Sequence, residues 1–146
     1  MKVELTRVND AVHFKAETTD GNIVHTDGAK SVGGEGKGMR PMQLMLVSIA
    51  SCSGIDVVEI LKKQRQKLEN LHISVSGERA TDSTPSPFTS INIHFTLFGD
   101  LDKPKVARAL SLAVDEYCSA RATLSDEVEV NHSFEIISAE ETSHEK

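Results

Sequence analysis

Two cysteines, Cys52 and Cys118, are the residues of this chain best suited to chemistry. A thiolate is a strong nucleophile, and its oxidation is reversible at the sulfenic acid and disulfide stages. Two cysteines are too few for a disulfide scaffold, and neither sits in a CxxC pair. In a reducing compartment a standing disulfide is not expected. The pair is therefore either inert packing or working redox chemistry. Thiols on separate elements that meet in space would make a peroxidatic and resolving pair. Their spacing in the chain does not say whether they meet.

Cys52 is surrounded by small residues, Ala50-Ser51-Cys52-Ser53-Gly54. They leave room beside the sulfur for a substrate, or equally for close helix packing, which is what many free cysteines do. A working thiol needs a nearby cation or hydrogen-bond donors. Asp56, four residues on and on the same helical face, would oppose ionisation if it lay near the sulfur, or would orient an arginine. Arg40 and Arg121 are the candidate cations, with an ordinary surface ion pair the plainer reading of each. Ser119 is placed to cap a short turn from Ala120 to Leu124, which puts Cys118 at a helix N-terminus where a thiolate is favoured. His132 falls on the apolar face of the last strand and reads as a satisfied core histidine. No histidine pairing suggests zinc, and neither a GxSxG nor a dinucleotide-binding fingerprint is present.

These residues need elements to position them. Alternating apolar residues predict a hairpin (Val3, Leu5; Val12, Phe14, Ala16) turning at Asn9-Asp10, and a third strand over residues 22–26. The glycine-rich stretch 28–38 is no P-loop and reads as a mobile connection, or as a lid over the following site. Pro41 opens a helix whose apolar residues, from Leu44 to Leu61, cover nearly every face. That predicts burial on all sides, by sheets or by a second subunit. Two strands follow around Leu71–Val75 and Ile91–Leu97. Asp102 then caps a second helix with Pro104 in its first turn and a stripe of Val106, Leu110, Ala113, Val114 and Tyr117. A last strand runs through Val128–Ile136. The order β-β-β-α-β-β-α-β is α+β, a single domain over residues 1–138 with a charged, flexible tail at 139–146.

Of the 146 residues, 38% are apolar and 26% charged, a lean core that a partner subunit would complete. The net charge of −6, the lack of Trp and the single Tyr argue against nucleic acid. No stretch reads as apolar over the ~18 residues a membrane span requires. With no signal peptide in the first residues, a cytoplasmic protein with no membrane partner is expected.

The stretch Arg40-Pro41-Met42-Gln43-Leu44-Met45-Leu46-Val47-Ser48-Ile49-Ala50-Ser51-Cys52, together with Tyr117-Cys118-Ser119, resembles the OsmC/Ohr family. Within it, Cys52-Ser53-Gly54-Ile55-Asp56-Val57-Val58 resembles the YhfA-like branch. The resemblance implies an OsmC-like fold with a long buried central helix in an intertwined homodimer. It implies that Cys52 is the peroxidatic and Cys118 the resolving thiol in the reduction of a small organic hydroperoxide. No cofactor would be bound, and an external dithiol, of the lipoyl type, would restore the thiols. Some positions depart from the family's peroxidases. Met42 stands where they carry a glutamate, and Gln43 is polar but uncharged. The N-terminal hairpin offers only Arg7 where theirs supplies an activating arginine, and Ser119 replaces a common proline. Arg40, Arg121, Asp56, Met42 and Gln43 are then the residues expected to activate the thiolate or line the site. Three readings stand: a thiol peroxidase, a non-enzymatic redox-sensing or apolar-ligand-binding protein, and inert packing of both cysteines.

Overall fold

The computed structural model describes residues 1–138, so the tail expected at 139–146 lies outside the described residues. The chain forms two compact units, Met1–Met45 and the remainder from Leu46.

In the first unit, β1 (Val3–Arg7), β2 (Phe14–Thr18) and β3 (Ile23–Thr26) make an antiparallel sheet in that order. The turn between β1 and β2 is longer than expected. Asn9 Oδ1 accepts the N–H groups of Ala11 and His13 at 3.0 and 3.2 Å, so Val12 belongs to the loop. Leu5, Ala16 and Val24 pair in one row, and Leu5 and Val24 stay exposed.

The glycine-rich loop that follows is tied down, not loose. Asp27 is 2% exposed and accepts three backbone N–H groups, from Gly28, Glu35 and Lys37, at 2.8, 3.0 and 3.1 Å. Those donors, Lys37 and Glu35 foremost, hold its carboxyl below the usual range despite its burial. Glycine is required at position 34, where a Cβ would overlap the Gly28 carbonyl oxygen.

The boundary between the units falls within helix α1 (Pro41–Lys63). Gln43 Oε1 accepts the backbone N–H of Arg40 at 2.9 Å, half of a capping box with Pro41 as the first helical residue. One face of α1 is buried, through Ile49, Ala50, Ser53, Gly54, Val57 and Leu61. The other carries exposed Met45, Val47, Ile55 and Val58. Its own chain covers only the first face, and the second is the one for which the expectation of burial on all sides also allowed a second subunit. Contrary to the expectation that no stretch is apolar over about 18 residues, α1 is long and apolar enough by length and composition to cross a membrane, and 33% of its most apolar window is buried inside the chain.

The second unit holds β4 (Asn70–Arg79), β5 (Phe88–Phe98) and β6 (Glu129–Ile137) in that order, β4 antiparallel and β6 parallel to β5. Ile91, Ile93, Phe95 and Leu97 are 0–1% exposed on the inner face of β5, each stabilising the fold by about 1.5–3 kcal/mol. Gly54 of α1 lies against Ile73 of β4, where a Cβ would come within 2.8 Å of Cδ1.

A parallel β5/β6 pair demands a crossover, supplied by α2 (Lys103–Ser111), a π-helical segment (Leu112–Glu116) and the short α3 (Ser119–Ala122). Asp102 caps α2 as expected, accepting the Lys105 N–H at 3.1 Å. The π segment alters the expected stripe. Tyr117 N–H bonds to Leu112 O, five residues back, at 2.9 Å. The extra residue turns Asp115, Glu116 and Tyr117 outward, so Tyr117 is 56% exposed instead of buried, and Cys118 turns in. The architecture is α+β in the expected order, with these two short segments and a 3-10 turn at Lys30–Val32 added.

Candidate functional site

Cys118 is reached from the π segment and stands 4% exposed. Its thiol points at the Ile49 carbonyl of α1, with Sγ to O at 3.8 Å. From the other side the Arg121 N–H donates to Sγ at 3.3 Å. Cys118 is therefore itself the N-cap of α3, a role expected of Ser119. The sulfur takes the role because Sγ, not the serine hydroxyl, is the acceptor that reaches the amide two residues into the turn.

Cys52 is half-buried, and both thiols are reduced. Ile49 precedes Cys52 by three residues, about 4.5 Å of axial rise. Cys118 is thus docked on the helical turn immediately before Cys52. Around Cys52, Ser51 Oγ donates back to Val47 O at 2.6 Å. Ser53 is fully buried and its hydroxyl has no hydrogen-bond partner among the described residues. Asp56, half-buried one turn on, forms no ion pair among the described residues.

Arg121 divides its groups. Its backbone serves Cys118, while its guanidinium Nη1 donates to Val114 O at 3.1 Å and to Asp115 Oδ1 at 2.5 Å. The second Asp115 oxygen meets His132 Nε2 at 3.2 Å. Burial pulls the Asp115 carboxyl upward, but the Arg121 and His132 hydrogen bonds outweigh it and hold the carboxyl below its ordinary value. His132 is satisfied, as expected, though at a half-buried position on β6 and not in the core. Cys118, Arg121, Val114, Leu124, Val128 and Val130 share a cavity of about 260 Å³.

The other expected residues belong to the first unit. Arg40 and Gln43 line a cavity of about 630 Å³ with Lys30 and the loop glycines. Gln43 is exposed and engaged with the Arg40 amide, and Met42 is half-buried. Beyond Cys52 on α1, Gly54, Ile55, Val58, Leu68, Leu71 and Ile73 line an open apolar groove of about 510 Å³. Among the described residues no group of three or more His, Cys, Asp or Glu side chains is placed to hold a metal ion.

Sequence reasoning missed Asp115, Ile49 and Ser53. Asp115 and Arg121 are six residues apart, which is no helical pairing. The carbonyl of Ile49 carries no side-chain signal at all.

Both cysteines lie within residues 34–133, the stretch that matches the model of the OsmC-like protein family. The chain belongs to the OsmC-like family. This OsmC-like chain is 35% identical over 131 residues to Protein YhfA of Escherichia coli strain K12, covering 89% of this chain and 94% of that one. A hypothetical protein from Aquifex aeolicus VF5 superposes with a TM-score of 0.80 at 33% identity, over 94% of this chain and 96% of that chain. The organic hydroperoxide resistance protein OsmC from Legionella pneumophila shares the fold, with a TM-score of 0.68 at 21% identity over 91% and 94% of the two chains.

Proposed function

We propose that this protein reduces small organic hydroperoxides, with Cys52 as the attacking thiol and Cys118 as the resolving thiol. The observation that carries this reading is the docking of Cys118 Sγ on the Ile49 carbonyl, one turn from Cys52. The Cys52 thiolate attacks the distal peroxide oxygen. An S–O bond forms, the O–O bond breaks, and the alkoxide leaves and takes a proton as the alcohol. Cys52 is then a sulfenic acid. The Cys118 sulfur attacks it, the S–S bond forms, and hydroxide leaves as water. An external dithiol, of the lipoyl type, reduces the disulfide by exchange through a mixed disulfide. Exposure agrees with this division of labour, since Cys52 is the more open of the two thiols.

The active form in this reading is a homodimer in the cytoplasm. Exposed Val47, Ile55 and Val58 on α1 are apolar side chains that a second copy would cover. Light scattering that gives a monomer mass would sink that assembly.

The deciding assay is consumption of cumene hydroperoxide with dihydrolipoamide as reductant. Turnover must exceed that of Cys52→Ser, and equality of the two ends the proposal. One observation favours a second reading, in which the thiols sense oxidants or flank a bound apolar molecule. The groove along Ile55, Val58, Leu71 and Ile73 is open and apolar, and Met42 brings no charge to the helix start. Saturable binding of a fluorescent fatty acid, with no hydroperoxide turnover, would select it.

A further inference from the structure

Ser53 is fully buried by its own chain, and its hydroxyl is unpaired among the described residues. An unmade hydrogen bond at a buried hydroxyl costs free energy, so such groups are uncommon and point to a strain reservoir, a catalytic role or an unseen partner. Ser51 shows what a serine in this helix ordinarily does, donating to the carbonyl four residues back. Ser53 has the equivalent acceptor in Ile49 and does not use it. That oxygen is approached instead by the Cys118 thiol at 3.8 Å. Helical side chains lean toward the N-terminus of the helix. Ser53 therefore leans over the turn that holds the Ile49 carbonyl, the oxygen that the Cys118 thiol approaches.

As a thiol, Cys118 donates to Ile49 and accepts from Arg121 N–H. Once deprotonated it has no proton to give, and a negative sulfur faces a carbonyl oxygen with one donor left. We propose that Ser53 is a positioning residue for the Cys118 thiolate, its hydroxyl left unpaired in the thiol state and donating to sulfur in the thiolate state. No atom or electron passes through Ser53. Cys118 gives its proton to solvent when it ionises, and the hydroxide displaced from the sulfenic acid in disulfide formation takes one up to leave as water. This inference rests on the reading of Cys118 as the thiol that ionises during turnover.

The test isolates Cys118 by Cys52→Ser in the full chain and follows ultraviolet thiolate absorbance against pH, with and without Ser53→Ala. Loss of one charge-assisted donor raises the pH of half-maximal thiolate by about one unit, and Ser53→Thr, which keeps the hydroxyl, restores it. The urea midpoint of the neutral thiol form stays the same or rises with Ser53→Ala, because an unpaired polar group has been removed. An unmoved thiolate curve overturns the proposal, and so does a lowered urea midpoint, which would reveal a partner already present in the thiol state. A shifted curve in a protein that consumes no hydroperoxide would sink the peroxidase and leave the Ser53 inference standing. Turnover with an unmoved curve would do the reverse.

Discussion

The sulfur of Cys118 lies 3.8 Å from the carbonyl oxygen of Ile49, one turn before Cys52 on the same helix. The contact joins an irregular crossover segment to the helix that carries the other thiol. It is made at the backbone, so substitution of the Ile49 side chain leaves the acceptor in place. The Arg121 amide holds the sulfur from the opposite side at 3.3 Å.

If Cys118 resolves the oxidised Cys52, Cys118→Ser completes one reduction and then stalls. Multiple-turnover consumption of hydroperoxide with a dithiol falls by roughly tenfold or more, while a sulfenic acid accumulates on Cys52. Dimedone labelling with intact-mass detection checks this. Equal labelling of the variant and the parent chain counts against the pairing.

Asp115→Asn removes the carboxylate that Arg121 and His132 share. Because the carboxyl is held below its ordinary 3.8, it stabilises the fold above that pH, and the contribution fades as pH falls through the lowered folded value. The side chain is 46% exposed, so solvent screening limits the loss to about 1 kcal/mol at neutral pH. Urea midpoints should separate the variant from the parent chain at neutral pH and converge as pH falls through the lowered folded value. A gap that widens toward acid would contradict the sign.

Asp27→Ala removes the acceptor that gathers Gly28, Glu35 and Lys37. The loop's backbone donors then turn to water, and local opening becomes easier. Trypsin should cut after Lys30 and Lys37 roughly tenfold faster than in the parent chain. The parent chain itself should gain sensitivity as pH falls through the depressed carboxyl value, read with an acid-active protease. An unchanged digest would show that the loop is held by other contacts.

Gly54→Val sets new side-chain atoms against Ile73, where even a Cβ would approach to 2.8 Å. Overpacking of this kind costs about 1–3 kcal/mol, which exceeds the ~1 kcal/mol gained by replacing a helical glycine. A lower thermal midpoint is expected, and the milder Gly54→Ala should come out near neutral because the Ile73 tip can give way.

Periodicity made most of the elements readable. Apolar residues two apart placed β1, β2, β4, β5 and β6, the Asp20-Gly21 turn marked the start of β3, and the long apolar run from Leu44 to Leu61 after Pro41 placed α1. Asp102 was readable as a cap since its acceptor acts within its own turn. Cys52 and Cys118 stood out by type alone. What covers α1 was not readable. An all-round apolar helix states that its faces need cover without saying whether its own chain or a second copy provides it, and Met45, Val47, Ile55 and Val58 stay 40–65% exposed on this chain.

Tertiary structure alone decided the rest. One extra residue in the π turn at Leu112–Glu116 sets which side of the crossover faces the core, and no side-chain pattern announces it. That turn sends Tyr117 outward and Cys118 inward, brings Asp115 between Arg121 and His132, and seats a sulfur on a backbone oxygen sixty-nine residues away. Local interactions repeat along a chain and can be read from it. A contact between a side chain and a distant backbone group depends on where the folded chain places both, and that position is carried by packing.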